Sequence, residues 1–208
     1  RHKFITHADQ FNWALNNVPI ESSWVMRIDA DEFLSPELIS NLLSINSSNL
    51  TERYSGISVN RLMYFMGKGL RKGGMYPIRH LRIWRNGMAF CEKRLMDEHM
   101  VLQSGEIMHV EGDLIDHNLN DITWWISKHN SYATREAIDI VINQLLVRNN
   151  KNESFQTSGS AKIRRSLKNK YLLLPLFWRV FILYFTRLIL QGAFLEGIRG
   201  IVWTTLQG

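Results

Sequence analysis

A short apolar run that ends in a group of carboxylates constrains this chain more than any other feature of it. Residues 24–33 read Trp-Val-Met-Arg-Ile-Asp-Ala-Asp-Glu-Phe, so that Asp29, Asp31 and Glu32 follow the apolar segment directly. Such a run predicts a strand buried on both faces, and ligands of open α/β sheets bind beyond the carboxyl ends of such strands. We therefore expect these carboxylates at a functional edge of a sheet.

Two aspartates separated by one residue can address one bound cation. Hard divalent cations bind carboxylate oxygens and keep positions for substrate phosphates, so Asp29 and Asp31 suggest Mg²⁺ or Mn²⁺ between the protein and a diphosphate. The competing interpretation is a solvated acidic turn that opens the next helix. A metal-dependent phosphotransferase with Asp29 as nucleophile is another alternative, although Phe33 stands where that class has a threonine.

The composition indicates a folded chain with one sizeable core. It has 208 residues, of which 45% are hydrophobic, enough for one domain or one domain with an appendage. Its single cysteine, Cys91, excludes an internal disulfide framework and a cysteine-rich zinc site, and we expect it to be an inert core residue.

The positive charge belongs to the end of the chain. Ten Lys and Arg against two Glu give residues 148–208 a charge of +8, which leaves −2 of the total +6 for residues 1–147. A nucleic-acid surface would combine such charges with exposed stacking aromatics or a recognition helix. An apolar segment accompanies them instead, so we expect no nucleic-acid partner.

That apolar segment begins at Tyr171 and is interrupted by Arg179 and Arg187. The arginines are too frequent for a simple membrane span, and eight residues apart they fall on one side of a helix. The pattern favours an amphipathic helix in the membrane interface, with the preceding Lys and Arg drawn to anionic headgroups. The alternatives are a buried helical pair that packs on the domain or on a partner, and a poorly formed span.

The periodicity along the rest of the chain predicts a mixed α/β order. Ser35 and Pro36 are typical of a helix start, as N-cap and first helical residue. In the strand that ends at Arg85, alternation places His80, Arg82 and Trp84 on one side and Leu81 and Ile83 on the other. Beyond the Trp24 strand, we predict helices over 9–16, 36–45 and 121–147, and strands over 57–64 and 80–85.

Five motifs occur in order along residues 8–140. They are Gln10-Phe-Asn12-Trp-Ala-Leu15, the run 23–33, Gly73-Gly74-Met-Tyr76-Pro77 with Leu81-Arg82-Ile-Trp-Arg85, Asp97-Glu98-His99, and Lys128-His129-Asn130-Ser-Tyr132 with Glu136-Ala137. This succession resembles the bacterial family 2 glycosyltransferases, in particular the branch that acts in lipopolysaccharide core and surface polysaccharide synthesis. The tail pattern Gly192-x-x-x-Glu196-Gly197-x-x-Gly200 is also similar to the ends of those proteins.

The resemblance implies a GT-A fold, a Rossmann-like mixed sheet flanked by helices, and an inverting reaction. A sugar would pass from a nucleotide diphosphate sugar to a hydroxyl of a glycan or glycolipid acceptor. Asp31 would hold Mg²⁺ or Mn²⁺ against the diphosphate, Asp29 would contact the ribose or share the metal, and His117 is a candidate third ligand. Glu32 is a weaker candidate that could instead orient the helix near Pro36.

An inverting transfer needs a carboxylate base within hydrogen-bond reach of the attacking hydroxyl. We favour Glu98, with Asp97 as the alternative, against an acidic surface turn. Arg71 and Lys128 are candidate contacts to the donor diphosphate, because cations near a glycine loop or a helix start suit phosphate. A solvated face remains the alternative for each of them.

The resemblance also implies that the first βαβ unit of such a domain is missing from this chain. We expect residues 1–148 to be the carboxyl-terminal part of the catalytic domain, 149–170 a basic polar linker, and 171–208 an amphipathic, membrane-associating tail. The protein would then be cytoplasmic and peripheral at the inner face of the plasma membrane. The remaining alternative is a non-catalytic, membrane-docked module that binds glycan or anionic lipid.

Overall fold

The computed structural model describes residues 2–45, 53–93, 98–149 and 174–207. They form a curled mixed sheet with flanking helices, which confirms the mixed α/β class. The helices are α1 (His7–Asn17), α2 (Pro36–Ser44), α3 (Ile122–Asn149), α4 (Leu176–Phe185) and α5 (Ile198–Gln207). The strands are β1 (Trp24–Met26), β2 (Glu32–Leu34), β3 (Tyr54–Phe65), β4 (Lys68–Gly69), β5 (Ile78–Arg85), β6 (Ala89–Cys91), β7 (Met100–Leu102) and β8 (Glu106–Asp116).

The strand order of the main sheet is β1-β5-β3-β8-β2, with β4 paired to the end of β3. β3 and β8 are parallel, and the other pairs are antiparallel. β1, β3 and β8 therefore run in one direction and end at the same edge. β6 and β7 form a separate antiparallel pair.

The curl of the sheet lets one short loop connect its two outer strands. β1 and β2 lie at opposite ends of the strand order, yet only residues 27–31 separate them. Four strand spacings of about 4.8 Å would hold them about 19 Å apart in a flat sheet, near the full reach of such a loop. Because the loop also contains a turn, it closes only over a curled sheet, and it crosses the end of that sheet.

Two apolar clusters hold the sheet and its helices together. On one face α2 buries Leu38 against Val59 and Leu114, and all three are inaccessible to solvent. The second cluster surrounds Trp84 and includes Cys91, which is buried as expected. The predicted start of α2 is confirmed, with Pro36 in its first turn.

The predicted strands 57–64 and 80–85 are confirmed, with longer bounds, but two expectations about strand faces are wrong. β1 has only three residues and is half-buried, because only β5 lies beside it among the described residues. In β5 the register skips Arg82, so that Ile83 pairs with Ile57 and Leu81 with Ser58. This bulge interrupts the alternation, and Leu81 packs in the same cluster as Trp84.

The tail folds as several short helical pieces. α4 is followed by a π-helical turn (Thr186–Leu190), a 3₁₀ turn (Ala193–Glu196) and α5. Trp203 of α5 is buried with Leu70 and Met75 of the domain, whereas many large apolar side chains of α4 are exposed. Among the described residues, no helix is both long and apolar enough to cross a membrane. Residues 150–173, with most of the predicted linker and the start of the tail, lie outside the described ranges.

Candidate functional site

The loop that carries the two aspartates is closed by reciprocal hydrogen bonds. The backbone amide of Glu32 donates to the Asp29 carbonyl at 3.0 Å, and the Asp29 amide donates to Glu32 Oε2 at 2.9 Å. The loop leaves the end of β1 and enters β2 at Glu32. The Glu32 side chain therefore orients the loop that precedes it rather than the following helix, whose first turn is capped by Ser35.

Two arginines flank Asp29. Arg82 Nη2 lies 2.5 Å from Glu32 Oε1, and Arg82 Nη1 lies 3.5 Å from Asp29 Oδ2. Arg27 Nε donates to Asp29 Oδ1 at 3.2 Å. The bulge in β5 places Arg82 out of the strand alternation, where its guanidinium reaches both carboxylates.

The two carboxyl groups respond differently to this environment. Burial acts to raise the pKa of Asp29, but the charges of Arg27 and Arg82 outweigh it and hold that pKa below its ordinary value. Burial raises the pKa of Glu32, and the neighbouring carboxylates of Asp29 and Asp116 act in the same direction, against the Asp29 amide and Arg82. Asp29 is therefore the more strongly ionised of the two.

The backbone of Asp31 lies beside that of His117. The His117 amide donates to the Asp31 carbonyl at 2.8 Å, and Asn118 Nδ2 donates to Asp31 Oδ2 at 3.1 Å. The His117 ring centre is 5.3 Å from that of Tyr64 and 6.5 Å from that of Phe33. Within the described residues, no cationic side chain forms an ion pair with the Asp31 carboxylate.

A second polar cluster surrounds the buried carboxylate of Asp113 in β8. Arg71 Nη2 donates to Asp113 Oδ2 at 2.6 Å, and the Tyr76 hydroxyl donates to Asp113 Oδ1 at 2.8 Å. The Arg71 guanidinium also lies 4.5 Å from the centre of the Tyr76 ring. Burial and the hydrogen bond to Asp113 raise the pKa of Tyr76, so the hydroxyl stays protonated as a donor.

The sheet register places this second cluster on the same face as Phe33. Phe33 is paired with Ile115, and directly paired residues share a face. Asp113 is two residues from Ile115 and therefore also points to that face. The Arg71–Asp113 pair and the Phe33–His117 contact thus lie on one side of the sheet, near the ends of β3 and β8.

The predicted base segment is described only in part. Asp97 lies outside the described residues, and Glu98 is half-buried. The ring of the adjacent His99 lies 5.8 Å from that of His80, which is two residues from Arg82 in β5. The segment that carries Glu98 therefore approaches the strand whose arginine contacts Asp29.

Lys128 on α3 lies against aromatic rings. Its Nζ is 4.5 Å from the centre of the Trp124 ring and 5.6 Å from that of Tyr132. Such cation–π contacts leave the ammonium able to accept an anion. They also fix its position on the first turns of the helix.

The sequence interpretation gave no site role to five charged residues of this region. Besides Arg27, Arg82 and Asp113, these are Arg61 and Asp116, which form an ion pair through Arg61 Nε at 2.9 Å. Asp116 is paired with Glu32 across the β2–β8 ladder. A signal was available for Asp116, because it ends a strand directly after the apolar Leu114 and Ile115, much as Asp29 follows β1.

The carboxylates can be tested for their fit to a divalent cation. Within the described residues, no group of three or more His, Cys, Asp and Glu side chains is arranged to enclose a metal. Mg²⁺ commonly binds one or two carboxylates, substrate phosphates and several waters, and does not need such an enclosure. Asp31, which forms no ion pair with the part of the chain that the structure describes, fits that kind of site. Asp29 fits it less well because it contacts two guanidinium groups.

No family model matches the chain. No solved structure matches it either. The chemistry of the site must therefore be argued from its own residues.

Proposed function

We propose that this chain belongs to an inverting glycosyltransferase of the GT-A type, which transfers a sugar from a nucleotide diphosphate sugar to a hydroxyl of a glycan or glycolipid. The observation that carries the proposal is the position of the loop 27–31. It crosses the end of the sheet at the carboxyl end of β1, its Asp31 backbone is hydrogen-bonded to that of His117, and the Asp31 carboxylate forms no ion pair with the described residues. A diphosphate with a divalent cation suits such a carboxylate.

The roles of the residues follow from their contacts. Asp31, with His117 beside it, would hold Mg²⁺ or Mn²⁺, and the cation would neutralise charge on the departing diphosphate. The charges of Arg27 and Arg82 lower the pKa of Asp29 and occupy both of its carboxylate oxygens, which suits a hydrogen bond to a ribose hydroxyl better than a share of the metal.

Arg71 supplies a positive charge on the face of the sheet where Phe33 and His117 are in contact. Asp113 and Tyr76 fix one side of its guanidinium, while 51% of its side chain remains exposed. An arginine held in this way can offer its remaining N–H groups to phosphate oxygens. Lys128, held against Trp124, is a second candidate for a phosphate contact.

Glu98 is the proposed base. It must accept the proton of the acceptor hydroxyl as that oxygen attacks the sugar carbon. The proposal is supported by its position next to His99, whose ring faces His80 of β5. The acceptor would therefore enter between this segment and the loop of Asp31.

The tail supplies a proposed partner, the inner surface of the plasma membrane. Phe177, Trp178, Phe181, Phe185 and Leu190 are each more than half exposed, and the groove along α4 has a volume of about 600 Å³. Within the described residues nothing covers this face. Seven Lys and Arg between 148 and 170, against one Glu, match the charge of anionic headgroups. Peripheral docking would bring a glycolipid acceptor close to the site.

The products of a donor assay distinguish this proposal from a phosphotransferase. The full-length protein is incubated with Mn²⁺ and a panel of nucleotide diphosphate sugars, and the products are identified by mass spectrometry. We expect a nucleoside diphosphate together with a free or transferred sugar. A nucleoside monophosphate with a sugar phosphate would show cleavage within the diphosphate and would refute the proposal.

A further inference from the structure

The turn between α4 and α5 holds the loop that carries Arg71. Glu196 Oε1 accepts hydrogen bonds from the backbone amides of Arg71 at 2.8 Å and Lys72 at 3.1 Å. The amide of Gly73 donates to the carbonyl of Gln191 at 2.9 Å. Three consecutive backbone amides of the loop therefore donate hydrogen bonds to acceptors of the tail.

Glycines on both sides allow this close approach. Gly74 has a φ of +73°, and a β-carbon there would lie 2.2 Å from a side-chain oxygen of the tail. Gly192 has a φ of +71°, which favours glycine, and a β-carbon at Gly200 would lie 1.9 Å from the Ala193 carbonyl oxygen. The glycines of the tail pattern around Glu196 thus shape a surface that fits the loop.

The two ends of the loop are anchored by apolar contacts to the same tail. Leu70 and Met75 are buried against Trp203 of α5. The Trp203 ring lies 5.5 Å from that of Trp125 at the start of α3. Arg71 therefore projects from a segment that is fixed at both ends and along its backbone.

We propose that Glu196 is a positioning residue for Arg71. By holding the loop amides, it keeps the Arg71 guanidinium on Asp113 with its open side toward a bound diphosphate. The identity of that anion rests on the proposed glycosyltransferase function. The tail is then a structural part of the donor site as well as a membrane-docking surface.

Binding of inorganic pyrophosphate in the presence of Mn²⁺, measured by calorimetry on the full chain, tests this proposal. We expect Glu196→Ala and Arg71→Ala each to weaken binding about tenfold, the size typical of a lost hydrogen bond to a charged group. The double variant should bind as weakly as Arg71→Ala alone, because Glu196 acts through Arg71. Glu196→Gln keeps an acceptor oxygen and should restore most of the affinity.

Hydrogen exchange supplies a readout that needs no ligand. In Glu196→Ala the amides of Arg71 and Lys72 should exchange about tenfold faster, whereas Thr205→Ala, at an exposed position of α5, should leave them unchanged. With a nucleotide sugar that the wild type turns over, Glu196→Ala should raise the KM for that donor about tenfold with little change in kcat.

Three results would overturn the positioning role. In the first, Glu196→Ala weakens pyrophosphate binding as much in the Arg71→Ala variant as it does in the wild type. In the second, Glu196→Ala leaves hydrogen exchange at the amides of Arg71 and Lys72 unchanged. In the third, the wild-type chain does not bind pyrophosphate. If pyrophosphate binding follows the expected pattern while no nucleotide sugar is turned over, the positioning role stands and the proposed function fails.

Discussion

Arg82 Nη2 and Glu32 Oε1 lie 2.5 Å apart, and only 8% and 2% of the two side chains are exposed. The pair links the first residue of β2, directly after the loop of the aspartates, to the inner strand β5. Replacing Arg82 with Met leaves a buried carboxylate without its partner, which typically costs about 3–5 kcal/mol. We expect Arg82→Met to reduce the free energy of unfolding by that amount, as measured by urea denaturation.

The ion pair between Arg53 and Glu106 is the matched control for this substitution. Its atoms are 2.8 Å apart, but more than half of each side chain is exposed. Exposed ion pairs contribute little to stability, so Arg53→Met should be nearly neutral. Equal losses from the two substitutions would contradict the structural role given to the buried pair.

Gly112 in β8 meets the first turns of α2 at a distance that excludes a side chain. Its φ is +106°, and a β-carbon would lie 2.6 Å from backbone atoms of Leu38. We expect Gly112→Ala to lower the free energy of unfolding by about 2–4 kcal/mol through strain and overpacking. Gly67, with a φ of +75° and open space around it, is the control and should lose only about 1 kcal/mol on substitution by Ala. Similar losses at both positions would show that the contact with α2 is unimportant.

The environment of Asp29 predicts a pH-dependent contribution to stability. Its pKa is lowered from the ordinary value of 3.8, so its stabilising effect is present above pH 3.8 and is lost as the pH falls through the lower folded-state pKa. Asp29→Asn should therefore be less stable than the wild type near pH 6, and the difference should shrink below pH 3.8. Urea denaturation between about pH 2.5 and pH 6, roughly the range in which carboxyl groups titrate, measures this difference in stability. A difference that is independent of pH would show that the two arginines do not favour the ionised form.

The exposed face of α4 predicts binding to anionic membranes. In flotation with vesicles that contain an anionic lipid, Phe181→Glu should reduce the bound fraction strongly, because it places a negative charge in the apolar contact. Leu43→Glu, at an exposed apolar position of α2, should bind as the wild type does. Salt of about 0.5 M screens the headgroup attraction and should weaken binding. Failure of the wild type to float with the vesicles, or equal effects of both substitutions, would contradict docking of α4 on the membrane.

Local sequence signals were sufficient for the elements whose residues interact with near neighbours in the chain. Ser35 and Pro36 correctly predicted the start of α2, and the alternation of residues 57–64 predicted the middle of β3. The position of the aspartate loop at the end of a strand also followed from residues 24–33 alone.

Contacts between distant parts of the chain could not be read in the same way. The bulge at Arg82 depends on the register between β5 and β3, and it moved that guanidinium onto Glu32 against the simple alternation. The association of Arg71 with Asp113 and Glu196 depends on packing between segments more than 40 and 120 residues apart. Charges of this kind become interpretable only when the sheet order brings their strands together.

The most direct test of the account is the effect of Asp31→Ala on Mn²⁺-dependent turnover of a nucleotide diphosphate sugar by the full-length protein. Glu37→Ala, at an exposed carboxylate on α2, is the matched control. We expect Asp31→Ala to reduce turnover about 100-fold or more, as loss of an electrostatic contact to the transition state typically does, and Glu37→Ala to change it little. Turnover by Asp31→Ala equal to that of the wild type, or no turnover of any donor by the wild type, would contradict the account.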